Sequence, residues 1–397
     1  MPDVITEAGY HEAHIPKGAA QNERMRVKTV DRSVGAFFGR GIRVSLARPG
    51  RAWQFARTLR WQAAAAKTRK AWQARGVQVP PIIIFSITHQ CNLQCAGCYA
   101  QAFLGGAGTA DCAGDAGDGG RPLELSDAKL SSIVGEAAEL GVSFFVIAGG
   151  EPLLREELLA VAERFPRVIF LVFTNGLLLT EEAVGRIARL KNIVPLLSLE
   201  GTAAQTDERR GKGTYEQLAA AMARLKARKL FFGCSLTLTR RNCSTIFAAD
   251  YVGGLYAAGC RFFLLADYTP VEAGTEDWVL TAEQRDQVGT LVRSLRKRYK
   301  AIFVAVPWDE QEVGGCLSAG RGFVHINASG EVEPCPFAPY SDADLTQLSL
   351  LDALKSPFLA RLRAMPELVD YEGGGCELWK NRAQVEQALA EARRGLP

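Results

Sequence analysis

Between residues 82 and 299, six short apolar runs alternate with six amphipathic segments, and this alternation restricts the fold more than any other feature. IIIFSIT (82–88), SFFVIAGG (143–150), VIFLVFTNG (168–176), IVPLLSLEG (193–201), LFFGCSLTLT (230–239) and RFFLLADYTPV (261–271) read as strands. The segments 126–141, 155–165, 180–191, 214–229, 245–259 and 281–299 read as helices, the first opened by the N-cap signal of Ser126. Strands apolar at nearly every position are buried on both faces, as in a parallel sheet covered by helices. Six units fall short of the roughly eight that close a full barrel. The predicted fold is therefore α/β: a partial (β/α)6 TIM-type barrel with parallel strands. In such folds the chemistry sits at the C-terminal strand ends, where this sequence places Cys91, Gly149, Thr174, Ser198 and Asp267.

Outside that stretch the pattern changes, and three units are expected: 1–80, 81–300 and 301–397. The first holds an irregular start and the segment RAWQFARTLRWQAAAAKTRKAWQARG (51–76), whose alanine content favours helix. Phe55, Leu59, Ala63 and Ala66 share one helical face, broadened by Trp61, Ala65 and Trp72, while Arg69 and Lys70 interrupt the pattern. No Asp or Glu occurs from Ser33 to Ala110, and ten Arg or Lys residues lie between Arg40 and Arg75. Such a basic helix can pack on the barrel, lie peripherally on an anionic membrane or meet an acidic partner, with nucleic acid ranked last. No apolar run reaches the ~18 residues of a membrane span, and MPDVITEAGYHEAHIP lacks a signal-peptide core. A cytoplasmic protein is expected, with the inner membrane surface as the one alternative. Residues 102–122, with seven glycines and three aspartates, read as an inserted loop or a lid. Beyond residue 300, AIFVAVPW reads as a strand, FVHINASGEVEPC as a hairpin, and 349–364 and 377–393 as helical, a small α+β C-terminal domain.

Ten cysteines in a chain with no visible export signal point to metal or redox chemistry rather than a disulfide framework. Three lie in CNLQCAGCYA, spaced Cys91-x3-Cys95-x2-Cys98. A closed structural zinc site takes four ligands, and a redox disulfide takes two. Three thiolates can hold three corners of a cubic iron–sulfur cluster, and an open metal position is where a small molecule binds.

Other residues follow the same strand-end logic. Gly149-Gly150-Glu151-Pro152 follows the second strand, Thr174-Asn175-Gly176 the third, Ser198-Leu199-Glu200-Gly201 the fourth, and Arg210-Gly211-Lys212-Gly213-Thr214 comes next. In this order, over about residues 82 to 300, the set resembles the radical S-adenosylmethionine (radical SAM) superfamily, with its cysteine signature, GGEP motif and S-[IL]-[DE]-G motif. The resemblance implies that Cys91, Cys95 and Cys98 ligate a [4Fe–4S] cluster whose open iron is chelated by the amine and carboxylate of S-adenosylmethionine. It implies that Gly149, Gly150 and Glu151 line the methionyl amine, with Asn175 in the same pocket. Ser198 and Glu200 would lie near the ribose or the substrate, and Arg210 would pair with the methionyl carboxylate. The family usually carries an aromatic residue just before the third cysteine, beside the adenine. Here Gly97 takes that position and the aromatic follows as Tyr99, so both are assigned to the cofactor pocket. The implied reaction passes one electron to the sulfonium, giving methionine and a 5′-deoxyadenosyl radical that abstracts hydrogen from the substrate. It implies an electron donor such as flavodoxin or ferredoxin.

Cys316, Gly330 and Cys335 follow C-x13-G-x4-C, which resembles the start of a SPASM or twitch extension. The dense cysteine run of a full SPASM domain is missing. The resemblance therefore implies one auxiliary iron–sulfur cluster on Cys316, Cys335 and Cys376, its fourth ligand open. Buried core thiols are the competing reading. Cys234 and Cys260 read as core, Cys112 as incidental and His89 as part of its loop. Asp267 and Tyr268, ending the sixth strand, are the catalytic candidates, expected to meet the substrate. A peptide or protein substrate leads, because SPASM-like extensions are frequent on such enzymes. The alternative is cofactor, lipid or other small-molecule biosynthesis. An iron–sulfur carrier or redox sensor is the reading of another class, and the GGEP-like and SLEG-like motifs argue against it.

Overall fold

The computed structural model describes residues 49–104, 123–311, 315–365, 368 and 376–394. Its nine strands are β1 (Ile82–Ser86), β2 (Phe144–Ala148), β3 (Ile169–Thr174), β4 (Ile193–Leu199), β5 (Gly233–Leu238), β6 (Phe262–Asp267), β7 (Ile302–Val306), β8 (Phe323–Ile326) and β9 (Val332–Glu333). They form one sheet in the order β7-β6-β5-β4-β3-β2-β1-β8-β9. Every pairing is parallel except the β8–β9 hairpin. The six predicted strands are all present, in sequence order, and the sheet extends past them at both edges. β7 pairs with β6 because IFVAV is apolar on both faces, as its neighbours are. β8 lies beside β1, with Ile84 opposite His325. The expected boundary at residue 300 therefore falls inside the sheet.

The helices used below are α1 (Pro49–Ala74), α2 (Tyr99–Leu104), α3 (Asp127–Leu140), α4 (Ala203–Arg210), α5 (Ala282–Arg298) and α6 (Glu377–Lys380). Their starts follow local chemistry. The Ser126 hydroxyl accepts from Lys129 N at 3.2 Å, and Thr281 with Gln284 forms a capping box. The predicted helix at 245–259 is broken at Ala248, whose backbone is extended.

Strand alternation sorts the sheet into two faces. Ile83, Phe85, Phe145, Phe170, Leu236 and Phe263 point to the helices and are fully buried. The opposite face lines a lumen. There Leu171, Phe173, Val194 and Val304 stay partly exposed around a small cluster of Leu196, Phe262 and Ile302. Ser198 and Ser235, opposite each other on β4 and β5, add two hydroxyls to this apolar surface.

The basic helix packs on the barrel, against α3. Its buried stripe is not the predicted Leu59–Ala63–Ala66 face. Thr58, Gln62 and Arg69 are buried and Ala63 is exposed. Ser143 Oγ donates to Gln62, and the Arg69 guanidinium donates to the Gly141 carbonyl at the C-terminal cap of α3, at 2.5 Å. A cation there meets the negative end of the α3 dipole and an orphan carbonyl together, which is why the residue that broke the amphipathic pattern is the one that docks. Among the described residues no helix is long and apolar enough to cross a membrane. The segment before residue 49, the side chain of Phe55, and the glycine-rich loop 105–122 with Cys112 lie outside the described residues.

Candidate active site

The cysteine loop leaves β1 beside the start of the Gly149-Gly150 turn. Ile87 N donates to the Ala148 carbonyl, Gly150 N to Thr88 and Glu151 N to Gln90, at 3.1, 2.8 and 2.7 Å. This backbone ladder is close enough that a Cβ on Gly149 would overlap the Thr88 carbonyl and one on Gly150 the Gln90 carbonyl. Gly149 also has φ +119°, so glycine is required there twice over. Arg155 fastens the same corner, donating to the Ile87 carbonyl at 2.6 Å and to Asp127 at 2.7 Å.

Glu151 stands behind the loop and is 1% exposed. Its carboxylate accepts from Leu153 N at 3.1 Å, Thr174 Oγ1 at 2.8 Å and Asn175 N at 2.8 Å. Burial pushes its carboxyl up, and the bonds from Asn175, Leu153 and Thr174 pull it back. With these partners Glu151 joins the ends of β2 and β3, which makes it a positioning residue. The Asn175 amide continues the link, donating to Asn92 on the cysteine loop at 2.7 Å.

Glu200 is the anchor of the other wall. Arg209 Nη1 meets it at 2.6 Å, and Arg210 meets it through Nε and Nη2 at 2.9 and 2.6 Å. Arg210 is thus held by Glu200, and its remaining nitrogen, Nη1, faces Cys95 Sγ at 4.0 Å. Arg209 escaped the sequence reading. It donates to the Ala96 carbonyl at 3.1 Å, and its own carbonyl accepts from Ala96 N at 2.9 Å. The end of α4 therefore clasps the cysteine loop with two cations.

The segment after β6 covers the loop from a third side. Gly97 N donates to Glu272 at 2.7 Å, and a Cβ at Gly97 would strike the Tyr268 hydroxyl. That hydroxyl donates to Thr275, whose own hydroxyl donates to the Glu272 carbonyl, at 2.9 and 2.6 Å. Trp278 lies against Tyr268 at 5.4 Å, and the Arg209 guanidinium sits 5.6 Å from the Tyr268 ring centre. Tyr99 does not join Gly97. It turns toward the C-terminal unit, with its ring edge-on to Phe337 at 5.4 Å. Glu272, Thr275 and Trp278 carried no motif, so no local pattern marked them.

Asp267 and Tyr268 part company. Tyr268 touches the cysteine loop, whereas strand alternation puts Asp267 in line with helix-facing Phe263 and Leu265. Both Asp267 carboxylate oxygens are buried without a hydrogen-bond partner among the described residues. Burial raises its carboxyl to about 7, against the pull of Arg285 and Lys380. The folded state therefore keeps a proton that the unfolded chain releases above its ordinary value of 3.8. Stability is expected to fall as pH rises from about 4 to about 7 and to level off beyond, by roughly 1.4 kcal/mol per pH unit at most. Denaturant titrations between pH 5 and 8 check this. Asp267→Asn removes the slope, and a wild-type slope that survives the substitution refutes the assignment.

The C-terminal cysteines also converge. Cys335 and Cys376 share a hydrogen bond that raises the first thiol and lowers the second, and Cys316 lies within electrostatic reach of both. Cys316 is pushed up to about 12, first by burial and then by Glu310, a carboxylate at the same site that the sequence did not single out. Cys234 and Cys260 are core thiols, 3.0 Å apart and fully buried.

The residues fit the groups expected of them. Soft thiolates suit iron–sulfur chemistry, and the two arginines offset thiolate charge. Among the described residues no three of His, Cys, Asp and Glu gather as one ion's shell would. A cube-shaped cluster spreads its thiolates wider than a single ion does.

Residues 85–239 match the family model of the Radical SAM superfamily. Mycofactocin maturase MftC of Mycobacterium tuberculosis is 28% identical over 278 residues, covering 66% of this chain and 66% of that protein. The chain thus spans just under two thirds of that relative's length. AdoMet-dependent heme synthase of Methanosarcina barkeri is 26% identical over 333 residues, covering 76% of this chain and 89% of that one. Among solved structures, Streptococcus suis SuiB bound to precursor peptide SuiA shares the fold, with TM-score 0.58, 17% identity, and coverage of 79% of this chain and 72% of that one. The cysteine loop, the ordered strand-end motifs on one parallel sheet and these matches agree: residues 85–239 are similar to the radical SAM superfamily.

Proposed function

We propose that this protein is a radical SAM enzyme that abstracts hydrogen from a peptide or protein substrate. The observation that carries the reaction class is the placement of Cys91, Cys95 and Cys98 on one loop at the mouth of an apolar lumen, clasped by Arg209 and Arg210. When bound, a [4Fe–4S] cluster and S-adenosylmethionine supply a 5′-deoxyadenosyl radical. The chain's own residues do the rest. Gly149 and Gly150 let the backbone approach the cofactor, and Glu151 and Glu200 fix the two walls. Ser198 and Ser235 are the polar contacts offered to a substrate there. Cys316, Cys335 and Cys376 hold an auxiliary cluster in this reading. The similarity to a protein named as a maturase supports the peptide substrate. Exposed Arg60, Lys67 and Lys70 on α1 offer a cationic face to an acidic donor of the flavodoxin or ferredoxin kind, or to an anionic membrane surface.

A tetrapyrrole substrate is the second reading. It is favoured by the longer match to a heme synthase, which covers most of both chains. Product formation separates the two. Reconstituted, reduced protein is given S-adenosylmethionine with either a panel of cysteine-free and cysteine-containing peptides or iron–coproporphyrin III. Stimulation of 5′-deoxyadenosine by peptide alone is the expected result. Stimulation by the porphyrin alone overturns the peptide reading.

A further inference from the structure

The helix that leaves the cysteine loop touches both C-terminal cysteine segments. α2 begins at the residue after Cys98. Tyr99 and Phe103, four residues apart, share one of its faces. Tyr99 meets Phe337, two residues past Cys335, and Phe103 meets Trp379, three residues past Cys376, at 5.4 and 6.2 Å between ring centres. Tyr99 also lies within electrostatic reach of both Cys98 and Cys335.

Tyr99 is held from behind by a buried polar chain. Its phenol has Ser86 as a hydrogen-bond partner. Ser86 Oγ and His325 Nε2 are 2.8 Å apart, and His325 Nδ1 is 2.6 Å from Glu333. Asn327 Nδ2 donates to the other Glu333 oxygen at 2.8 Å. In the tautomer whose Nδ1–H donates to Glu333, Nε2 accepts from the Ser86 hydroxyl, whose oxygen is then open to the Tyr99 phenol. The chain runs across β1, β8 and β9 and ends two residues before Cys335. Ser86, His325 and Glu333 are all less than a tenth exposed, so a hydrolytic use of this Ser–His–Glu series lacks substrate access. Fully partnered buried networks rigidify what they join.

We propose that α2, fixed through Tyr99 by this chain, couples the two cysteine groups. Occupation of the C-terminal group changes the environment of the cluster on Cys91, Cys95 and Cys98. Tyr99, Ser86 and His325 are positioning residues in this scheme, and it rests on the reading of Cys316, Cys335 and Cys376 as auxiliary-cluster ligands.

Four full-length reconstituted proteins test it: wild type, Tyr99→Phe, Cys316→Ala/Cys335→Ala, and all three substitutions together. Iron and sulfide are counted, and the first cluster is followed by electron paramagnetic resonance and redox titration. Emptying the C-terminal group is expected to remove one cluster's iron and to change the reduced-to-oxidised ratio of the other about tenfold, ~59 mV for one electron. With Tyr99→Phe, which keeps the ring against Phe337, more than half of that shift is lost. Ser86→Ala, which touches no cysteine, reproduces the loss when a further pair of proteins carries it with and without the two cysteine substitutions. A role in folding alone would lower stability and leave the potentials where they were. Full iron retention in the cysteine variant overturns the auxiliary reading and the coupling with it. Iron loss with an equal shift in both backgrounds overturns the coupling and leaves the auxiliary reading standing.

Discussion

Replacing Cys91, Cys95 and Cys98 together by alanine is expected to abolish 5′-deoxyadenosine formation while leaving the fold intact. None of the three side chains belongs to the core: Cys91 is exposed and the other two are half-buried. Their removal therefore takes no packing from the sheet, and circular dichroism should be unchanged. The loop itself is held by backbone bonds and by Arg209, not by the thiols. Iron content should fall by the share of one cluster, with the C-terminal group still loaded. The assay is anaerobic, with dithionite and S-adenosylmethionine, and wild type as reference. A variant that still cleaves the cofactor would place the chemistry elsewhere. A fully loaded wild type that makes no product calls for spin resonance with and without S-adenosylmethionine. A perturbed signal then means that turnover waits for substrate, and an unperturbed one favours a carrier.

The second large effect is expected at Glu200. Its carboxylate is 2% exposed and lies between Arg209 and Arg210, which are 14% and 13% exposed. Glu200→Gln keeps the shape and removes the charge, leaving two guanidiniums in a poorly solvated wall without their counter-ion. Breaking one partner from a buried pair costs about 3–5 kcal/mol. The rim of solvent at both arginines puts this case at the lower end, about 3 kcal/mol. Because Arg209 also holds Ala96, the cysteine loop should loosen too, so iron retention falls along with the denaturation midpoint. Glu200→Asp should recover part of both. Unchanged iron content in a destabilised Glu200→Gln protein would separate the wall from the cluster.

The barrel strands were legible because each is an apolar run closed by a turn, and the helix starts because Ser126 and Thr281 are cap residues. The strand-end motifs were legible because crowding leaves a chemical trace. Gly149 and Gly150 cannot be other residues while Thr88 and Gln90 press on them. What stayed hidden was set by partners distant in sequence. Nothing local in FVHI announces that it pairs with β1, and the docking stripe of α1 is polar because its counterpart is a carbonyl. Arg209 looked like the neighbour of the motif arginine, although it does more of the clasping. Tyr99 follows Cys98 directly in the sequence, but its ring packs on Phe337, a partner more than 200 residues away that no local pattern names.

The position of β8 has a consequence for how such a protein can be inherited. β1, the strand that launches the cysteine loop, has β2 on one side and β8 on the other. Ending the chain near residue 300 would strip away β8 and bare the amides and carbonyls of β1. Open edges of that kind recruit strands from other molecules. The C-terminal segment thus covers the very edge from which the cysteine loop departs, and a chain cut near residue 300 would have to cover that edge in another way.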